Sequence, residues 1–100
     1  MVAGVVQLMI LRAILVLRDN AYALRIEDEV EKMGRRLKLG QSYRALKQLE
    51  RGGLVTSKVR RRKANEQGQP RRIYCVTDRG IRSLQTSGMS ESTTREGAIK

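Results

Sequence analysis

Leu39-Gly40-Gln41-Ser42-Tyr43-Arg44-Ala45-Leu46-Lys47-Gln48-Leu49-Glu50-Arg51-Gly52-Gly53-Leu54-Val55 carries the decisive pattern of this 100-residue chain. At 100° per residue, Leu39, Ser42, Ala45, Leu46 and Leu49 gather on one side of a helix. Gly40, Tyr43, Arg44, Lys47, Gln48 and Arg51 lie on the other. Gly52-Gly53 closes the helix, because glycine readily takes the left-handed conformation that ends one. The outer face offers guanidinium, ammonium, amide and phenol groups, with no carboxylate near its centre. Such groups suit a polyanion of stacked bases: arginine matches guanine, glutamine matches adenine, and lysine or tyrosine holds phosphate.

Upstream, Ala21–Met33 reads as an amphipathic helix with Tyr22, Ala23, Ile26, Val30 and Met33 on one arc. Asp19 or Asn20 is placed to cap its start and Gly34 to stop it. The first helix, Val5–Leu17, is apolar except at Gln7 and Arg12. It is too short to span a bilayer, which takes about 20 apolar residues, and it lacks the basic lead and small-residue cleavage site of a signal peptide. A helix apolar nearly all round is buried on both sides. One side is therefore expected in the core and the other against a second copy of the chain, with Val6, Ile10 and Ile14 at that interface.

Downstream, Leu54–Lys63 reads as a strand ending in Arg60-Arg61-Arg62-Lys63, followed by a polar loop with the sole proline, Pro70. Arg71–Val76 is the returning strand, with Tyr74 and Val76 on one face and Ile73 and Cys75 on the other. Thr77 is the N-cap of a last helix over Asp78–Thr86, with Ile81 and Leu84 turned inward. Residues 87–100, rich in Ser and Thr and without an aromatic residue, read as a disordered tail.

Charge and composition narrow the function. Residues 1–34 hold four basic and five acidic side chains, residues 35–72 thirteen and two, and residues 73–100 four and three. The net charge of +11 thus resides in the middle segment, the footprint expected of a polyanion-binding surface. There is no histidine and one cysteine, Cys75. This excludes histidine-dependent triads and acid–base sites and leaves too few ligands for an ordinary structural zinc, so neither an enzyme nor a cofactor is expected. An unpaired cysteine suits a reducing, cytoplasmic setting. Glu27, Asp28, Glu29 and Glu31 fan around their helix and read as a solvated face rather than a metal site.

Helix, helix, helix, strand, strand, helix is a mostly α, α+β arrangement, a winged helix-turn-helix over residues 1–86. The chain resembles the PadR family of bacterial transcriptional regulators. Ala21-Tyr22-Ala23, Leu39-Gly40-Gln41-Ser42-Tyr43-Arg44-Ala45-Leu46, Leu49-Glu50 and Gly53-Leu54-Val55 carry the resemblance, with Gly68-Gln69-Pro70-Arg71-Arg72-Ile73-Tyr74 and Val76-Thr77-Asp78-Arg79-Gly80. The resemblance implies a homodimer that represses promoters through palindromic double-stranded DNA operators. Gln41, Tyr43, Arg44 and Lys47 are then expected at bases and phosphates, and Arg60, Arg61, Arg62, Arg71 and Arg72 at backbone or minor groove. Members often respond to a small apolar or phenolic effector, but with no Trp or Phe to line an aromatic pocket this sequence does not support one. Two other classes fit the charge: a non-specific or architectural nucleic-acid-binding protein, and a winged-helix module for an acidic protein.

Overall fold

The computed structural model describes residues 4–38, 40–60 and 71–87. Its elements run α1 (Val5–Leu17), a 3-10 turn (Arg18–Asn20), α2 (Ala23–Lys32), α3 (Gln41–Arg51), β1 (Val55–Arg60), β2 (Arg71–Val76) and α4 (Asp78–Ser87). The expected order of four helices and one hairpin is the order found. Arg61, Arg62, Lys63, the loop to Pro70, Leu39 and the tail from residue 88 lie outside the described residues.

The core forms around α1, which packs against α2, α3, α4 and β2. Ile10, Leu11, Ala13 and Ile14 meet Ile26 and Val30 of α2, Leu46 and Leu49 of α3 and Leu84 of α4 in one cluster. This corrects the expected dimer-facing set. Ile10 and Ile14 are 0% and 2% exposed within the single chain, and Val6 is half-buried against the same cluster. None is an outward anchor. The apolar residues left outside are Val5, Leu15 and Val16, at 60%, 43% and 57% exposure. The reason is that α1 is apolar on every arc, so periodicity cannot choose which arc the other helices cover.

The start of α2 also differs from expectation. Asp19 and Asn20 belong to the 3-10 turn, and Tyr22 is the N-cap, with no side-chain capping bond. The intervening Ala21 is fully buried, and its carbonyl accepts a 2.9 Å hydrogen bond from the Tyr74 N–H. The turn is thus committed to the outer edge of β2, as a substitute for a third strand.

The end of α3 sets up the hairpin. Gly53 has φ 77°, its N–H donates to the Glu50 carbonyl (3.1 Å), and the Leu54 N–H donates to the Leu49 carbonyl (2.9 Å). This pair of bonds is the Schellman closure, and it brings the buried Leu54 onto the helix it has just left. Leu54 accordingly belongs to the cap and β1 begins at Val55. The strands pair antiparallel from Val55 opposite Val76 to Arg60 opposite Arg71. Ile73 and Tyr74 point to opposite faces yet both are buried, at 5% and 6% exposure, whereas Cys75 is exposed. Ile73 lies outside the main cluster.

Thr77 caps α4 as expected, its Oγ1 accepting from the Gly80 N–H at 3.1 Å. Leu84 is buried, but Ile81 is 37% exposed and so is not the second inward anchor. Leu24, on α2, is 68% exposed, and nothing in the structure explains it.

Candidate nucleic-acid interface

α3 is held from beneath and from both ends. Ser42, Ala45, Leu46 and Leu49 are buried, and the fully buried Ser42 hydroxyl donates to the Glu27 carboxylate of α2. That bond ties the two helices of the helix-turn-helix together and satisfies a hydroxyl that would otherwise be stranded. With this side fixed, Arg44, Lys47 and Arg51 project from the middle of the opposite face, all exposed. Tyr43, 62% exposed, and Glu50 flank them toward the hairpin; Gln41 and Gln48 flank them toward the start of α1.

The glutamines do not stand free. Gln41 is half-buried, and its Oε1 accepts from the Lys38 backbone N–H at 3.0 Å, which ties the side chain to the turn before α3. Gln48 Oε1 accepts from Gln7 Nε2 at 2.8 Å. Tyr43, Arg44 and Lys47 carry no such bond among the described residues, and all three are exposed.

The hairpin arginines divide similarly. Arg60 is exposed at the end of β1. Arg71 lies over the Tyr22 ring, 4.2 Å from its centroid, so part of its function is to hold β2 against α2 by a cation–π contact. Arg72 Nη1 donates to Ser57 Oγ at 3.0 Å, and Ser57 Oγ in turn donates to Glu50 Oε2 at 2.8 Å. This chain links both strands to α3 and sets the angle between hairpin and helix. Beneath it, burial pushes the Tyr74 phenol above its usual pKa; the Arg72 guanidinium opposes this, while Glu50 and Tyr43 add to it.

Sequence reasoning placed Arg51 and Gln48 on the outer face without assigning them to the site, and passed over Glu50 and Ser57. Arg51 was detectable, since it follows Arg44 by seven residues and Lys47 by four and so shares their stripe. The Glu50–Ser57–Arg72 chain had no local signal, because it depends on strand register. The acidic residues of α2 do not form one solvated face, because Glu27 is half-buried and turned to Ser42 of α3. Glu29 pairs with Lys32 at 3.7 Å, Glu31 pairs with Arg36 at 3.4 Å, and no group of three metal-ligating side chains occurs among the described residues. No helix among the described residues is long and apolar enough to cross a membrane.

Three helices, with the third turned outward beside an antiparallel hairpin, and a fourth helix returning to the core define a winged helix-turn-helix. The model of the PadR-like family of transcriptional regulators matches residues 11–86, and the chain belongs to that family. Solved structures agree. A PadR family transcription regulator from hypervirulent Clostridium difficile is 25% identical with a TM-score of 0.67, over 86% of this chain and 85% of that one. A candidate transcriptional regulator from Thermoplasma acidophilum is 30% identical with a TM-score of 0.69, over 87% and 80%. Bacillus subtilis PadR in complex with operator DNA shares the fold at 19% identity and a TM-score of 0.67, over 97% of this chain and 54% of that one. No curated protein matches the chain.

Proposed function

We propose that the chain is a sequence-specific DNA-binding repressor that acts as a homodimer on a palindromic operator in the cytoplasm, with residues 1–86 as the binding unit and the remainder as a tail. The observation that carries this reading is the outward stripe of Arg44, Lys47 and Arg51 on α3, bordered by the hairpin that bears Arg60. A helix with its side chains is about 10–12 Å across, close to the roughly 12 Å width of the major groove. In that groove, Arg44 and Lys47 reach base edges and Tyr43 reaches phosphate, while Arg60, with Arg61 and Arg62 beyond it, follows the backbone. Arg71 and Arg72 act chiefly by fixing the hairpin. The complex of Bacillus subtilis PadR with operator DNA supports the same use of the shared fold.

Dimerisation rests on the exposed apolar side chains at the two ends of α1, Val5 at its start and Leu15 and Val16 at its finish, which a second copy would cover. Two-fold pairing of the chains requires a two-fold operator. Selection of bound fragments from a random-sequence DNA pool tests the proposal. The expected outcome is an enriched inverted repeat bound at least about 10³-fold more tightly than bulk DNA. Tight, salt-sensitive binding with no enriched motif would overturn it in favour of a non-specific or architectural role. Equal binding to acidic polypeptide would point to a protein partner instead.

A further inference from the structure

The hairpin serves one flank of α3, whereas the other flank opens into a cleft to which no role has been given. That cleft lies between the first turn of α1, the turn after α2 and the near side of α3, and Gln7, Arg35, Gln41, Arg44 and Gln48 supply its polar lining. Among the described residues no acidic side chain lines it. Arg35 and Arg44 come from different elements, and among the described residues neither guanidinium has an ion pair or hydrogen bond. The neighbouring Arg36, by contrast, is paired with Glu31.

The hydrogen bonding of the glutamines gives the cleft its character. Gln7 Oε1 accepts from the Gly4 N–H at 3.0 Å, and Gln7 Nε2 donates to Gln48 Oε1 at 2.8 Å. Gln41 Oε1 is taken by the Lys38 N–H. Each amide oxygen thus already accepts one hydrogen bond, and the NH2 groups of Gln41 and Gln48 make no hydrogen bond among the described residues. The first turn of α1 carries no acidic side chain to offset its positive end. The Arg35 guanidinium and two amide donors, bordered by Arg44 and with no carboxylate facing them among the described residues, match an anion with several acceptor oxygens.

We propose that this cleft holds a backbone phosphate of the DNA strand bordering the major groove on the side away from the hairpin, with Arg35 as its principal cation. The inference rests on the proposed DNA binding and extends it. A helix that fills the groove meets a phosphate wall on each flank, and the hairpin can occupy only one of them. Arg35 is positioned for the other by its backbone, whose N–H donates to the Val30 carbonyl at 3.3 Å and fixes the turn after α2.

The test uses the full chain, on bulk duplex DNA for the salt slope and on an operator recovered by the selection above for the phosphate map. The variants are Arg35→Ala and Arg35→Lys, with thermal melting to confirm the fold. One lost phosphate contact lowers the slope of log affinity against log salt by about 0.9, equivalent to about eightfold weaker binding at 0.1 M salt. Arg35→Ala is expected to show that loss and Arg35→Lys to retain most of the slope. On an operator fragment carrying single neutral methylphosphonates, Arg35→Ala should become insensitive at one position, and Arg60→Ala at a different one across the groove. An unchanged slope for folded Arg35→Ala, or loss of sensitivity at the same position for both variants, overturns the inference while leaving DNA binding intact. Failure of the parent chain to bind DNA at all refutes the proposed function instead.

Discussion

Gly80→Ala is predicted to destabilise the protein although it replaces a helical glycine by the best helix former. Helix propensity alone favours alanine by about 1 kcal/mol. At residue 80, however, a Cβ would lie 2.3 Å from the Leu54 carbonyl oxygen and 2.6 Å from Val76 Cγ1. Ordinary contact begins near 3.4 Å, so the neighbours must separate by about 1 Å. The Leu54 carbonyl cannot withdraw freely. It accepts from the Thr77 N–H at 3.0 Å, and the Leu54 N–H closes α3 on the Leu49 carbonyl. Losing the Thr77 bond costs about 1 kcal/mol, and forcing an extra methyl into a packed site costs about 1–3 kcal/mol.

The collision outweighs the propensity gain, for a net loss of about 1–3 kcal/mol. At about 4–8 °C per kcal/mol for a domain of this size, a loss in the middle of that range lowers the melting temperature by about 10 °C. The damage should also reach α3, because the start of α4 holds its end: Thr77 Oγ1 donates to the Gly53 carbonyl at 2.6 Å, and Arg79 Nη1 donates to the Gly52 carbonyl at 3.1 Å. Circular-dichroism melting beside Gly34→Ala provides the comparison. Gly34 has φ 104° with nothing near its virtual Cβ, so that variant loses about 1–2 kcal/mol from backbone strain alone. Gly80→Ala melting at or above the parent would refute the collision argument.

Three further outcomes follow from the same geometry. Val16→Glu should leave a folded monomer by light scattering, whereas Ile14→Glu buries an unpaired charge at a cost on the order of 4 kcal/mol and should unfold the chain; a dimeric Val16→Glu would exclude that part of α1 from the interface. Burial raises the Tyr74 pKa, so its neutral form is favoured in the folded state. The stability this supplies is complete below the unfolded value of about 10 and is lost as pH rises through it toward the folded value, so denaturant midpoints from pH 8 to 11 should fall more steeply for the parent than for Tyr74→Phe. Lys47→Ala should lower operator affinity by about 1–3 kcal/mol and relax preference at one or two base pairs, whereas Arg60→Ala should weaken all sequences alike and reduce the salt slope by about 1; the reverse pattern in a binding-selection assay would make the hairpin the reader.

The order of elements and the polar face of α3 were legible in the sequence because they rest on local chemistry. A 3.6-residue period in Leu46, Leu49 and their neighbours, glycine at the end of α3, and threonine before α4 act within a few residues of themselves. The charge excess of residues 35–72 likewise marked the proposed binding surface without reference to any fold. Tertiary structure decided what periodicity leaves undetermined. On α1, where every arc is apolar, only packing against α2, α3 and α4 put Ile10 and Ile14 inside and Val16 outside. At the start of α2, the carbonyl of Ala21 was claimed by β2, more than fifty residues away, and the expected cap gave way to a turn. The roles of Arg71 and Arg72 depend on which ring and which hydroxyl the strand register sets beside them. The cleft around Arg35 depends on a hydrogen bond between the Gln7 and Gln48 side chains of α1 and α3. Each of these outcomes is a competition between distant groups for one partner, and such a competition is resolved only when the chain has folded.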